Sequence, residues 1–253
     1  MKKNVLFLVA ITIPGKESRS APYHYGIDSY KQWCKKNDVE LFILDELIAP
    51  PEEMKVNFSR YYALQLLDQS GIEYDKVCIT DVDSIIHPDC PNFFELAEDK
   101  LYVTQCDGDY DWTIRSMENY AFEFEEFEEF DIWSYFNSGF LIINKSHAKL
   151  FEDFMKFFWD NKDKINAVQQ KYGVGTDQPL LNHYVNSSNI EIEHLPYIYC
   201  MVDLPRKEIL SADMIFTRIP GIYQFNAIPG GDELTHQWMQ KTYKYLYENT
   251  NRN

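Results

Sequence analysis

The segment Tyr74-Asp75-Lys76-Val77-Cys78-Ile79-Thr80-Asp81-Val82-Asp83 constrains this chain most. Its centre is a short apolar run without helical period, and it leads straight into two carboxylates at i and i+2. Such a run reads as a strand buried on both faces, the kind found in parallel sheets covered by helices. On an extended chain, residues i and i+2 project from one face, which sets Asp81 beside Asp83 at the strand's end. In open α/β sheets, ligands bind outside the carboxyl ends of the strands. Two hard oxygen donors at that place suit Mg²⁺ or Mn²⁺, with diphosphate oxygens completing an octahedron. Taken alone, the same pattern also describes a strand end capped by solvated aspartates.

The rest of the chain fits a strand–helix alternation. Val5–Thr12 reads as a buried first strand closed by Pro14-Gly15, in preference to a secretory signal, because it is β-branched and no small-residue cleavage site follows. A polar loop, Gly15–Ser20, leads to a helix over Tyr25–Lys36, and Val39–Leu44 is the second strand. Asn57–Asp68 reads as a helix with Tyr61, Leu64 and Leu67 inward. Strands follow at Lys76–Thr80, Leu101–Cys106 and Gly139–Ile143, then a long helix from His147 to Val168. Met117–Asp131 is acidic and aromatic, with Tyr120, Phe124 and Phe127 on one helical face. It reads as a solvated amphipathic helix or, alternatively, as a lid (residues 115–135) whose aromatics contact an acceptor. A last helix, Glu233–Tyr247, lies within 232–253. The reading is one α/β domain over residues 1–253, with a Rossmann-type, mostly parallel sheet flanked by helices.

Composition narrows the partners. With 24 basic and 40 acidic residues the net charge is −16, which repels phosphate backbones and anionic lipids, so nucleic acid is excluded as a partner. No segment is long and apolar enough to span a membrane. The five cysteines, Cys34, Cys78, Cys90, Cys106 and Cys200, form no CxxC pair, which points to a reducing, cytoplasmic setting.

Two further motifs follow the first in order: Phe136-Asn137-Ser138-Gly139 before an apolar strand, and Gly175-Thr176-Asp177-Gln178-Pro179 opening a helix, with Thr176 as its expected N-cap. With the D-x-D segment and the Phe93-Phe94-Glu95-Leu96 turn behind it, this order resembles the GT-A glycosyltransferases, in particular glycogenin-like and other family 8 retaining enzymes, over roughly residues 4–230. The resemblance implies transfer of a sugar from a nucleotide-diphosphate sugar, with UDP-sugar as donor, to an unidentified glycan, protein or small-molecule acceptor. It implies that Asp81 and Asp83 hold Mn²⁺ (or Mg²⁺) and the diphosphate, with Val82 between them on the nucleotide. It places Asn137 and Ser138 in a turn facing the donor sugar and Asp177 and Gln178 on sugar hydroxyls near the reacting carbon. Arg60 stands near the nucleotide, and Ala10, Ile11 and Thr12 form the backbone region that receives the uracil.

The chain departs from that family at the late metal-binding histidine. Gln224, in Ile222-Tyr223-Gln224-Phe225-Asn226, stands in its place, with Asn226 or His236 as alternatives. Asp107, in the Asp107-Gly108-Asp109-Tyr110-Asp111 turn, is a further candidate on the acceptor side. With retention, the leaving phosphate itself serves as base. Inversion would need a carboxylate base, Asp177 or Asp107, and double displacement a carboxylate nucleophile, Asp177. Two other readings stay open: a catalytically silent sugar-nucleotide-binding module of the same fold, and a haloacid-dehalogenase-type phosphatase, whose D-x-D normally lies near the start of the chain.

Overall fold

The computed structural model describes residues 2–106, 109–188, 190–202, 218–226 and 228–248. A six-stranded sheet in the order β2-β1-β3-β6-β5-β7 organises it. The strands are β1 (Lys3–Val9), β2 (Glu40–Leu44), β3 (Tyr74–Asp81), β5 (Leu101–Gln105), β6 (Phe136–Asn144) and β7 (Ile192–Leu195). Only β6 runs against its neighbours, so the sheet is mixed with five strands in one direction. A two-stranded antiparallel ribbon, β4 (Ser84–Ile86) with β8 (Ile222–Gln224), stands beside it.

The apolar runs form the central strands because both faces are covered. Val5, Phe7, Val77, Ile79, Leu141 and Ile143 pack on one side, while Leu6, Leu8, Cys78, Phe140 and Ile142 pack on the other. Neighbouring residues thus point to opposite faces and both are apolar. Helix α5 (Ala148–Tyr172) brings Phe151, Phe154 and Phe158 to the first side, and α2 (Tyr23–Asn37) brings Tyr30 and Trp33 to the second. Helix α7 (Gly231–Tyr243) continues as a wider turn to Glu248 and closes a third cluster around Tyr25, Tyr223 and Met239. Among the described residues no helix is long and apolar enough to cross a membrane.

Several expected boundaries move. Strand β1 ends at Val9, where its partner β3 ends at Asp81 and β2 at Leu44, so Ala10, Ile11 and Thr12 leave the ladder. The expected helix over Asn57–Asp68 begins as a tight 3₁₀ segment, Val56–Tyr62, and becomes α3 only at Ala63–Gln69. Here the Arg60 Nε donates to the carbonyl of Asn57 at 3.0 Å, tying the side chain back to its own turn. The acidic-aromatic segment is helical earlier than expected, in α4 (Tyr110–Glu123). The helix stops before Glu125-Glu126 and Glu128-Glu129, whose charges oppose the negative end of a helix dipole. Tyr120, Phe124 and Phe127 are buried in the main core against Phe157 and His183, so the aromatic face is core and not a lid.

Candidate active site

The end of β3 opens into a cavity of about 590 Å³. The segments that meet there include the D-x-D turn, the start of β6, the start of α6 (Asp177–Asn186), the loop after β1, residues 51–60, and Gln224 with Asn226. Asp81 is the last residue of β3, and Asp83 lies in the turn before β4, where its carbonyl accepts from Phe225 N at 2.8 Å. That bond and the Ser84–Gln224 register bring Gln224 over the aspartates.

Asn137 and Ser138 belong to β6 itself and not to a turn before it. The register of β5 on β6 jumps from Val103–Leu141 to Thr104–Asn137, so Ser138, Gly139 and Phe140 bulge away from β5. A bulge re-aims side chains, here into the cavity. The Asn137 Oδ1 accepts from Gly139 N at 2.7 Å and fixes it. A Cβ at Gly139 would fall 2.8 Å from Gln224 Nε2 and closer still to Asp81 Oδ2, so a larger residue there would force those side-chain ends to shift. Gly26 on α2 is tighter, because a Cβ there would meet the backbone carbonyls of Val82 and Ser84, which cannot swing aside.

Arg60 joins the three motifs. Its Nη2 lies 2.7 Å from Asp81 Oδ1, its Nη1 donates to the Ser138 carbonyl at 2.7 Å, and its Nε lies 3.8 Å from Asp177 Oδ2. Burial opposes its charge, but Asp81 and Asp177 more than compensate and hold it firmly protonated. Asp177 is buried and accepts from Asn57 (2.8 Å) and Thr176 (3.0 Å) on Oδ1, and from Tyr61 (2.7 Å) and Ser138 (3.3 Å) on Oδ2. Burial would raise its pKa, yet Arg60 and these donors keep the carboxyl below the usual range. Thr176 therefore spends its hydroxyl on Asp177 and makes no side-chain cap. A carboxylate so bonded does far more than complement a helix dipole. The Gln178 Oε1 accepts from Ser138 N at 3.1 Å.

Among the other expected site residues, Ile11 and Val82 line the cavity, while Ala10 and Thr12 do not. Ala10 N donates to the Leu44 carbonyl, and the exposed Thr12 hydroxyl bonds Ser20. Asn226 lines the cavity; His236 lies outside it, its ring tilted against Tyr25. Asp107 lies outside the described residues, and its neighbours serve the helix: Asp109 caps α4 by accepting from Trp112 N, and Asp111 pairs with Arg115.

The expected metal donors do not fit. Both Asp81 oxygens are engaged, Oδ1 by Arg60 and Oδ2 by the Gln224 Nε2 amide at 2.6 Å. The Gln224 Oε1 faces Cys200 Sγ (3.0 Å) and Asn137 Nδ2 (3.3 Å), turned from the aspartates. The carboxylate needs a donor and the thiol and Asn137 amide supply donors, so the network fixes this orientation. Of the expected carboxylates only Asp83 remains, its carboxyl pushed up to about 7 by burial and by Asp81, with the exposed Asn226 as a neutral oxygen at the cavity's edge. Among the described residues no group of three or more His, Cys, Asp or Glu side chains could hold a metal ion.

The motifs gave no hint of Asn57 and Tyr61, which hold Asp177, or of Lys16, Arg19, Tyr23 and Lys55, which line the cavity. The helical period marked Tyr61 as inward, but nothing local marked its partner.

No protein-family model matches the chain, and no curated protein matches it either. Among solved structures, it is similar to a glycosyltransferase involved in the glycosylation of the major capsid of PBCV-1. The TM-score is 0.61 at 10% identity, covering 94% of this chain and 98% of that one. The two share a fold over nearly their whole lengths.

Proposed function

We propose that the protein is a glycosyltransferase that moves a sugar from a nucleotide-diphosphate sugar, UDP-sugar in the first instance, to an acceptor hydroxyl with retention. The observation that carries this reading is the convergence of D-x-D, Asn137-Ser138-Gly139 and Asp177-Gln178 on one cavity through Arg60. The shared fold with a glycosyltransferase supports it.

In the proposed reaction the bond from the anomeric carbon to the diphosphate oxygen breaks and its electron pair leaves with the nucleotide diphosphate. The acceptor oxygen bonds the anomeric carbon on the same face, and its proton passes to the departing phosphate oxygen. Gln178, half-buried beside Ser138, donates its Nε2 amide to Cys106 Sγ (3.5 Å) and Tyr135 Oη (3.4 Å), long bonds that a sugar hydroxyl displaces in this reading. Asp177, already saturated by four donors, positions Ser138 and Arg60 and takes no proton. No step is routed through a divalent cation, because the donor set does not fit one. The free thiols suit a reducing compartment such as the cytoplasm.

The test is release of nucleoside diphosphate from a panel of nucleotide sugars, with anomeric configuration of the product read by NMR. An α-linked donor giving an α-linked product supports the reading. Absence of release from every donor, with an aryl phosphate cleaved instead, would overturn it.

A further inference from the structure

A chain with net charge −16 repels a diphosphate, so the charge inside this cavity has to be arranged against the average. Four cations, Lys16, Arg19, Lys55 and Arg60, face three carboxylates, Asp81, Asp83 and Asp177. Arg60 is committed to Asp81 and Asp177. Lys55 donates to Gln169 Oε1. Among the described residues, no carboxylate comes within ion-pair distance of Lys16 or Arg19. Both are exposed in the segment after β1, next to Tyr23, and Arg19 acts on Tyr23 and Asp83.

We infer, resting on the proposed transfer, that Lys16 and Arg19 hold the donor's diphosphate and stabilise it as it leaves, in the place of a metal ion on the D-x-D pair. A guanidinium offers planar paired donors to phosphate oxygens, and a lysine adds a mobile point charge. The D-x-D pair then has a different task. Asp81 anchors Arg60 and Gln224, and Asp83, a negative charge on the cavity wall, takes no part in holding the diphosphate. The Gln224 substitution belongs to the same arrangement. A histidine there could ligate a metal, whereas this glutamine spends its amide on Asp81 and turns its oxygen to Cys200.

Calorimetric titration with UDP, in chelator and then in Mn²⁺, tests this on the full chain. Other nucleoside diphosphates are titrated in parallel, inorganic pyrophosphate serves as competitor, and a thermal melt of each variant establishes that it is folded. The expected result is binding in chelator, displaced by pyrophosphate and changed less than about 3-fold by Mn²⁺. Arg19→Ala should weaken it by about 10-fold or more and Arg19→Lys by less, as loss of a charge-assisted pair and retention of the charge require. Asp83→Asn should bind at least as well as the parent. Binding that appears only with Mn²⁺ and is lost in Asp83→Asn overturns this inference and leaves the proposed transfer standing. Undiminished binding in Arg19→Ala together with Lys16→Ala overturns it likewise. A folded parent that binds no nucleoside diphosphate in either condition overturns both readings.

Discussion

The floor and the rim of this cavity use the same kinds of side chain in opposite ways. On the floor, Arg60, Asp81 and Asp177 are largely withdrawn from water, and every charged atom among them has a partner. On the rim, Lys16 and Arg19 are exposed and have no carboxylate at ion-pair distance among the described residues. The floor's charges support one another and define a geometry. The rim's charges face water and are available to a ligand. A buried charge still carries its desolvation cost when it is paired, and one already satisfied within the protein has little left to offer a ligand.

The largest expected effect lies on the floor. Asp177→Asn removes the charge facing Arg60 and turns an amide N–H₂ toward donors that now lack an acceptor. Transfer should fall by on the order of 10²-fold or more, as when one positioned polar group is lost from a reacting centre. The fold should lose about 1–3 kcal/mol, the cost of leaving a buried donor unmade. Steady-state kinetics and urea unfolding of the same variant measure both. A stable variant with full activity would reduce Asp177 to a helix-end charge and dissolve the contrast.

Gly139→Ala tests the geometry of the floor without touching a charge. The added carbon meets Asp81 and Gln224 well inside van der Waals contact, so their carboxylate and amide have to shift. Destabilisation of about 1–3 kcal/mol is expected from overpacking. Transfer should drop more than stability alone accounts for, because the shift loosens Arg60. Thermal melts with and without nucleotide sugar separate the two contributions.

How much of this was readable in the sequence follows the range of the interactions. Strand β3 and the position of Asp81 at its end were legible, because an apolar run and two carboxylates are local. Tyr120, Phe124 and Phe127 were legible as an apolar set, but not as what they are: the helix stops at Glu123, and the set packs on Phe157 and His183 from other helices. Asn137 and Ser138 were placed in a turn because a strand bulge is set by the partner strand β5, which local pattern does not show. Gln224 stood out as a departure, yet the direction of its amide was decided by Cys200, Asn137 and Asp81, all distant in the chain. The hub around Asp177 was invisible for the same reason: Asn57 and Tyr61 reach it across more than a hundred residues.

Asp83 stands between floor and rim, and pH exposes its position. Its carboxyl is pushed up to about 7 by burial and by Asp81. A carboxyl held above its unfolded value binds its proton more tightly in the folded state, so its ionisation destabilises the fold as pH rises from about 4 through about 7. Asp83→Asn should therefore raise the melting temperature at pH 8, and the gain should shrink as pH falls through 7 and vanish near pH 4. Scanning calorimetry at several pH values in chelator measures it. A constant gain at all pH values would mean that Asp83 ionises as an ordinary surface carboxylate.

The smallest effect is the one that separates rim from floor most cleanly. Lys16 and Arg19 lie on the surface, in and just before the four-residue α1 (Glu17–Ser20), which buries none of its residues. Their side chains contribute no ion pair among the described residues and little packing. The double substitution Lys16→Ala with Arg19→Ala should then shift the melting temperature by about 2 °C or less, as surface changes do. Its shift is expected to be downward, because Arg19 favours the ionised Asp83 and an acidic chain loses two cations, and small, because the local backbone keeps its bonds to Ile13 and Glu17. Repeating the melt in saturating nucleoside diphosphate gives the discriminating reading. Ligand that binds only the folded state raises the melting temperature by mass action, and this increment should be smaller in the double variant than in the parent. A large loss of stability without ligand would show that the rim, like the floor, spends its charge on folding.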